Sequence, residues 1–523
     1  MFEKTQQSRR SFVATGGATA AITAFAGVSS VHAAEAAPEN STFDEETDVL
    51  VVGAGFGGLV AAASALDAGA NVIIVDASTR VGSSSLLSSG VMTTHGSNSV
   101  EELSKNAPLT DPVLGKAFLD AWPVALDWLA KIGAPLSQED RQTDSGSYPI
   151  YRLGGQVGTP GNVAYAAFFE NYVTSNGGKI ELQTKAKRLI TDDDGAVIGA
   201  KVTGPTGPYT IGASQVILAC GGTQNNKEMN VKYIGPNADL MVSRGNPHNA
   251  GSGLLMAQQV GGIPSRGHGT FYGHPVPLGA SVTEDTATWD ENITDDSWLA
   301  RVNSVFTIAQ NSGASWGVVV NLNGKRFFDE SQDDLKLNQE IGRQKFARAY
   351  EVIDSDIRAQ HTGMSSTLGD DGNPIEDLDL LSKWGAELIE ANTLEDLANQ
   401  LESRGVNRAN FLRTVQEYNS AVDEGTTGEL DIPKSNADKA AKLAQPPFYA
   451  FGVVAGYSFS FGGVKTDEDG RVVDAVDDPI PGLWAIPGTS GGMQYDYYIG
   501  VISTMTAMGH LAGTIAGQEA LGA

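Results

Sequence analysis

Cysteine is almost absent: the 523-residue chain has one, Cys220. That excludes a disulfide within the chain, an iron–sulfur cluster held by its own thiolates and a CxxCH haem attachment. Basic residues are also scarce, 35 Lys and Arg against 62 Asp and Glu, giving a formal net charge of −27. A surface of that sign repels phosphate, which argues against nucleic acid and anionic membrane as partners. Its plain consequence is solubility, and it also suits docking to a basic electron-transfer protein. No run of about 20 apolar residues occurs, so nothing reads as a transmembrane span. Beyond Arg471 there is no Lys or Arg at all. With 41% hydrophobic and 19% charged residues and no internal repeat, the chain reads as a globular protein of two or three domains.

What is present begins with residues 49–76, VLVVGAGFGGLVAAASALDAGANVIIVD. They spell a strand, a glycine turn, a helix and a second strand closed by an acid. Gly53 permits the tight bend, Gly55 lets backbone approach a pyrophosphate, and Gly58 lets the helix pack on the strand. The helix N-terminus that follows directs its N–H groups and positive dipole end at the phosphates. Asp76 is placed to accept hydrogen bonds from a ribose hydroxyl. The unit is built to hold a dinucleotide.

Ahead of it, Ser8-Arg9-Arg10-Ser11-Phe12-Val13 precedes an Ala/Gly/Thr-rich run and a small-residue exit at Val31-His32-Ala33-Ala34. This is similar to a twin-arginine export signal over residues 1–34, the route of proteins that fold around a cofactor before crossing a membrane. The expectation is a mature chain starting near Ala34, a polar linker over 35–45 and a periplasmic or extracytoplasmic location. Further on, Ile180–Gln183 and Val197–Val202 alternate like hairpin strands, and Val216–Gly222 reads as a buried strand entering a glycine turn. Thr393 is a good N-cap for a helix with Glu395 and Asp396 in its first turn. Phe411, Val415, Tyr418 and Val422 line one helix face.

Taken together these blocks resemble the FAD-dependent fumarate reductase/succinate dehydrogenase flavoprotein superfamily, which includes 3-ketosteroid dehydrogenases and bacterial ene-reductases. GAGFGGLVAA with Asp76 is similar to its ADP site, and GSSSLLSSG (Gly82–Gly90) to its Gly/Ser/Thr run beneath the isoalloxazine. LACGG (Leu218–Gly222), AGSGLLMA (Ala250–Ala257), NGKRFFDE (Asn323–Glu330), TLEDLA (Thr393–Ala398), PPFYA (Pro446–Ala450), FGGV (Phe461–Val464) and PGLWAIPGTSGG (Pro481–Gly492) match further blocks in the family's order. The implied fold is α/β: a discontinuous Rossmann-type FAD domain over 46–263 and 453–523, with an inserted α+β capping domain over 264–452. The implied cofactor is FAD, non-covalent because no covalent histidine motif is evident. Gly53, Ala54, Gly55, Phe56, Gly57, Gly58, Asp76 and Ala77 would hold its ADP half. Ser83, Ser84, Ser85, Ser89 and Gly90 would lie beneath the ring. Ala186, Ala219, Gly221, Gly222, Gly488, Ile502 and Ser503 would complete the site, with Tyr457 bordering the flavin.

Departures from the family narrow the chemistry. Its proton-donating arginine stands four residues after the glutamate of the KRFxNE block, and that position here is Asp334. Its carboxylate-binding histidine is replaced by Phe459. The segment carrying its second carboxylate-clamping arginine corresponds to Tyr495–Gly500. A dicarboxylate needs cations for its two charges. Their loss points to a neutral, flat, partly apolar substrate. In such an enzyme flavin N5 exchanges a hydride with the β-carbon of a C=C bond conjugated to a carbonyl, while protein groups handle the α-proton and polarise the oxygen. Tyr498 is the first candidate for that work, with Tyr495, Tyr497, Asp334, Tyr272 and His274 behind it, the last two in GTFYGHP at the start of the capping segment. No second dinucleotide fingerprint occurs, so electrons are expected from a cytochrome, quinol or quinone relay. The alternatives are a 3-ketosteroid dehydrogenase and a non-catalytic flavin-binding electron carrier or sensor.

Overall fold

Strand Glu45–Val52 sends Val49 and Val51 into one core and Leu50 and Val52 into another. Val72–Val75 divides the same way, Val72 and Ile74 to one side and Ile73 and Val75 to the other. Strands apolar on both faces belong inside a sheet covered on both sides. The computed structural model, which describes residues 35–36, 43–143, 146–154, 159–280, 313–368 and 373–522, shows that sheet. The twin-arginine segment and most of the linker lie outside the described residues. Across the nine-stranded sheet the order is Lys185–Thr191, Val197–Gly204, Gly207–Leu218, Glu45–Val52, Val72–Val75 and Lys179–Glu181, with Glu35–Ala36 outermost. Strand Pro479–Ala485 joins Gly207–Leu218 in parallel, pairing Leu483 with Val216 and Ala485 with Leu218. The sheet is therefore built from both ends of the chain.

Helix Phe56–Asp67 connects the first two parallel strands, and helix Val501–Ala520 lies against it. Small residues permit their approach. A Cβ added to Gly513 would stand 2.2 Å from the Ala61 carbonyl oxygen, and one on Gly517 3.0 Å from that of Ala65. Gly513→Ala is therefore expected to force the helices apart and to cost about 1–3 kcal/mol, the usual range for overpacking. Chemical denaturation checks this, and an unchanged midpoint would contradict the contact.

A second, six-stranded sheet is organised on Phe448–Tyr457, a strand with all ten residues buried. It pairs with Arg348–Asp354, Leu388–Ala391 and Pro275–Pro277 from the segment 264–452 and with Val242–Ser243 from the segment before it. The expected boundary at 452/453 thus falls inside one continuous strand. The sequence blocks on either side of that point belong to a single element because both halves have partners. Helix Leu394–Glu402 starts where Thr393 places it, the Thr393 hydroxyl accepting from the Asp396 N–H at 3.0 Å. In helix Arg408–Glu424, Phe411, Val415 and Tyr418 are buried. A hairpin of Leu136–Thr143 and Gly146–Leu153, paired to Val91–Met92, was not anticipated from sequence.

Candidate active site

The parallel strands end on one side of the main sheet, and the residues just past their ends meet there. Gly53 follows Val52, Asp76 follows Val75, Ala219 follows Leu218, and Ile486, Pro487 and Gly488 follow Ala485. All of them line a cavity of about 660 Å³. A crevice outside the carboxyl ends of parallel strands is where such sheets bind ligands.

Its first half fits a dinucleotide. Gly53, with φ +117, turns so tightly that a Cβ would sit 2.3 Å from the Ala219 oxygen, and one on Gly58 would sit 1.9 Å from the Gly53 oxygen. Gly55 differs: a Cβ there would meet only the Ser85 hydroxyl, at 3.8 Å. The protein itself does not need glycine at Gly55, whereas a ligand passing over it does. Helix Phe56–Asp67 has no side-chain cap, and Phe56, Gly57 and Gly58 in its first turn face the cavity. Asp76 is buried, its Oδ2 accepting from Ala54 N–H at 2.6 Å and its Oδ1 from Ser78 N–H at 2.7 Å. Burial raises its pKa against the pull of those two amides. Ala77 and Ala186 continue this end of the wall.

In the middle, Ser83, Ser84, Ser85 and Ser89 line the cavity with Gly221, Gly222 and Ile502. The Ser84 hydroxyl accepts from Asn246 N–H at 2.6 Å and from Asn249 Nδ2 at 3.0 Å, so its proton remains to donate inward. Gln224 also faces this space, and its buried Oε1 has no hydrogen-bond partner. A buried acceptor left open at a cavity wall suits a ligand donor. Cys220 lines the wall as well, and burial raises its thiol pKa, so it stays a protonated, unreactive group.

Several expected positions lie behind this wall. Ala54 uses its N–H on Asp76, Gly90 leaves room for the Asn162 side chain, and Ser503 brackets Thr93, donating to its carbonyl at 2.8 Å and accepting from its N–H at 2.6 Å. Tyr457 is fully buried against Phe271, its hydroxyl 3.2 Å from that of Thr223. Tyr495 is not among the lining residues, whereas Tyr497 and Tyr498 are.

The far half is aromatic. Strand pairing sets Tyr272 opposite Phe459, their rings stacked with centroids 4.9 Å apart. Tyr498 packs on Tyr272 at 4.4 Å and on His95 at 5.1 Å. Burial raises the pKa of Tyr498, opposed by the Val501 backbone N–H and the Arg244 charge. Burial thus keeps the Tyr498 phenol protonated. Tyr272 is also raised by burial. Its hydroxyl lies 2.9 Å from His274 Nε2, and His274 Nδ1 lies 2.5 Å from Asp334 Oδ2. Asp334 opens helix Asp334–Arg343, capped by Asp333, which accepts from Leu335 N–H at 2.8 Å. Burial opposes charge on Asp334, but the His274 hydrogen bond and charge outweigh it and hold the carboxyl below its usual range. Asp333 is raised by burial and by its charged neighbour.

Sequence reasoning missed the cations of this wall. Arg244 is buried there, donating through Nη2 to the Leu87 carbonyl at 2.9 Å, and Arg141 and Arg152 come from the unanticipated hairpin. His95, with its pKa lowered to about 4 by burial and by Arg141, is a neutral wall residue. Nothing in the polar segment around Arg244 marks it except its place shortly before AGSGLLMA.

The FAD binding domain family matches residues 48–498, and the chain belongs to it, within the FAD-dependent fumarate reductase/succinate dehydrogenase flavoprotein superfamily. It is 29% identical to the probable fumarate reductase Ifc3 of Shewanella frigidimarina, over 91% of this chain and 76% of that one. To 4-oxocyclohexanecarboxylate 2-dehydrogenase of Sinomonas cyclohexanicum it is 28% identical, over 66% of this chain and 59% of the other. The open form of a flavocytochrome c3 fumarate reductase superposes with a TM-score of 0.67 at 27% identity, covering 91% of this chain and 79% of that one. FAD is thus the cofactor, and the chain is an FAD-dependent oxidoreductase acting on CH–CH bonds in a mixed α/β fold. Among the described residues no helix is long and apolar enough to cross a membrane.

Proposed function

We propose that this enzyme reduces a C=C bond next to a carbonyl in a neutral cyclic or aromatic substrate, outside the cytoplasm. The observation that carries the reading is the far half of the cavity, where Tyr272, Phe459 and Tyr498 form an aromatic wall and an acid, Asp334, holds the family's arginine position. Arg244 is the buried cation of the cavity, and Arg141 and Arg152 line it as well, Arg152 paired with Glu139, so the neutral reading rests on the aromatic wall and on the acid at Asp334 rather than on a lack of cations. Bound FAD supplies the hydride. Gly53–Gly58 and Asp76 would hold its ADP half and the serine run would meet its ring, with the described residues of the segment 264–452 serving as a cap. Tyr498 donates to the carbonyl oxygen as negative charge develops there, a role that favours a phenol kept protonated by burial. The aromatic wall excludes water from that charge.

Electrons come from an external cytochrome, quinol or quinone relay, since the chain has one cysteine and no CxxCH. The reverse reaction, as in a 3-ketosteroid dehydrogenase, is the second reading. It is favoured by the similarity to a dehydrogenase named for a cyclic ketone. Oxidation of a 3-ketosteroid by the purified enzyme with an artificial acceptor separates it from the first. The reductive reading is tested by reducing the flavin anaerobically and adding neutral enones, with flavin absorbance as the readout. For export, replacing Arg9 and Arg10 by lysine is expected to leave an unprocessed, folded, FAD-containing precursor in the cytoplasm. Correct processing of that variant outside the cell would remove the twin-arginine reading.

A further inference from the structure

We propose that Tyr272 is the group that exchanges the substrate α-proton, and that His274 and Asp334 form a relay connecting it to solvent. The inference rests on the reading of the site given above and deepens it by assigning the proton. Tyr272, His274 and Asp334 all line the cavity and form one hydrogen-bonded chain, 2.9 Å from the Tyr272 hydroxyl to Nε2 and 2.5 Å from Nδ1 to Asp334 Oδ2. Accessibility rises along the chain, the His274 side chain being 10% exposed and that of Asp334 35%, both on the cavity. Asp334 fixes the imidazole by accepting from Nδ1–H, which turns Nε2 to the phenol, as a carboxylate does in a Ser-His-Asp arrangement. Asp333 alone caps that helix, so the Asp334 carboxylate is not used for the cap.

The step balances. When a hydride reaches the β-carbon, the electron pair of the C=C bond forms a new bond from the α-carbon to the Tyr272 proton. The Tyr272 O–H bond breaks, the phenolate takes the proton on Nε2 of the His274 imidazolium, and His274 is left neutral with Nδ1–H on Asp334. A water at the accessible side of Asp334 restores one proton to the His274–Asp334 pair. In reverse, neutral His274 accepts the Tyr272 proton while the phenolate removes the α-proton. Tyr272 is then a catalytic residue, and His274 and Asp334 are positioning residues that act through it.

The test needs no hydride transfer. Holoenzyme with oxidised FAD is incubated in D2O with cyclohexanone or 2-decalone, and exchange at the α-carbon is followed by NMR. Wild type is expected to catalyse exchange, and Tyr272→Phe to slow it by about 10²–10⁴-fold, the span of general acid–base catalysis. The groups facing the relay are Tyr272, Tyr498, Asp333 and Asp334, with Arg244 beyond Tyr272. Asp334→Asn removes the carboxylate that favours the protonated relay, so the pH profile of exchange moves to lower pH. Asp334→Glu restores most of the rate. A residue serving only structure would slow exchange without moving the profile. Equal exchange in wild type and Tyr272→Phe, or no exchange in wild type, overturns the relay even if enones oxidise the reduced flavin. Relay-dependent exchange in a protein whose reduced flavin no enone oxidises overturns the reductive reading and leaves the relay standing.

Discussion

Tyr498→Phe is expected to lower the rate at which a neutral enone reoxidises the reduced flavin by about 10²–10⁴-fold, because it removes the hydroxyl proposed to polarise the carbonyl. The change deletes an oxygen and little volume, and the ring contacts to Tyr272 at 4.4 Å and His95 at 5.1 Å survive it. FAD content should be unchanged, since the substitution removes one hydroxyl and leaves the glycine turn and Asp76 intact. Stopped-flow absorbance on FAD-matched samples measures the effect. An unaltered rate would move the role to Tyr497, which also lines the cavity, or to Tyr272.

Gly55→Val yields a folded protein that purifies without FAD. The prediction depends on the contrast within one turn. At Gly53 and Gly58 an added Cβ would strike backbone at 2.3 and 1.9 Å, so substitutions there fail as folding defects. At Gly55 the nearest atom is 3.8 Å away, so the protein accommodates a side chain and the loss falls on the ligand. Absorbance at the flavin band together with an unchanged unfolding midpoint separates the two. Full FAD retention in Gly55→Val would contradict the assignment of the pyrophosphate path.

The cofactor half of the site was legible in the sequence because its determinants are local. Val49–Val52, the glycines after them and the acid at Asp76 lie within one strand–turn–helix–strand unit, where spacing alone sets geometry. Thr393 was legible as a cap for the same reason. In the aromatic half, Tyr272, His274, Asp334, Phe459, Tyr497 and Tyr498 were each singled out and all line the cavity, but their mutual contacts were not legible. His274 and Asp334 are brought together from positions 60 residues apart, and no local pattern announces a hydrogen bond of that kind. Strand Leu136–Thr143 escaped because its sequence, LSQEDRQT, is polar throughout and shows no apolar alternation, so Arg141 on that strand went unseen with it. Strand Phe448–Tyr457 was visible as apolar residues but was divided at 452/453, since its continuity depends on partners from both segments of the chain.

The proposed reading gives this chain a neutral carbonyl substrate in place of the fumarate for which relatives such as the Shewanella frigidimarina protein are named. It is tested most directly by reducing the bound FAD under anaerobic conditions and recording its absorbance after adding fumarate or a neutral cyclic enone such as 2-cyclohexen-1-one or a 3-keto-4-ene steroid. Rapid return of the oxidised spectrum with a neutral enone, and none with fumarate, is the result predicted by Asp334, Phe459 and the Tyr498 wall. Efficient reoxidation by fumarate would contradict it.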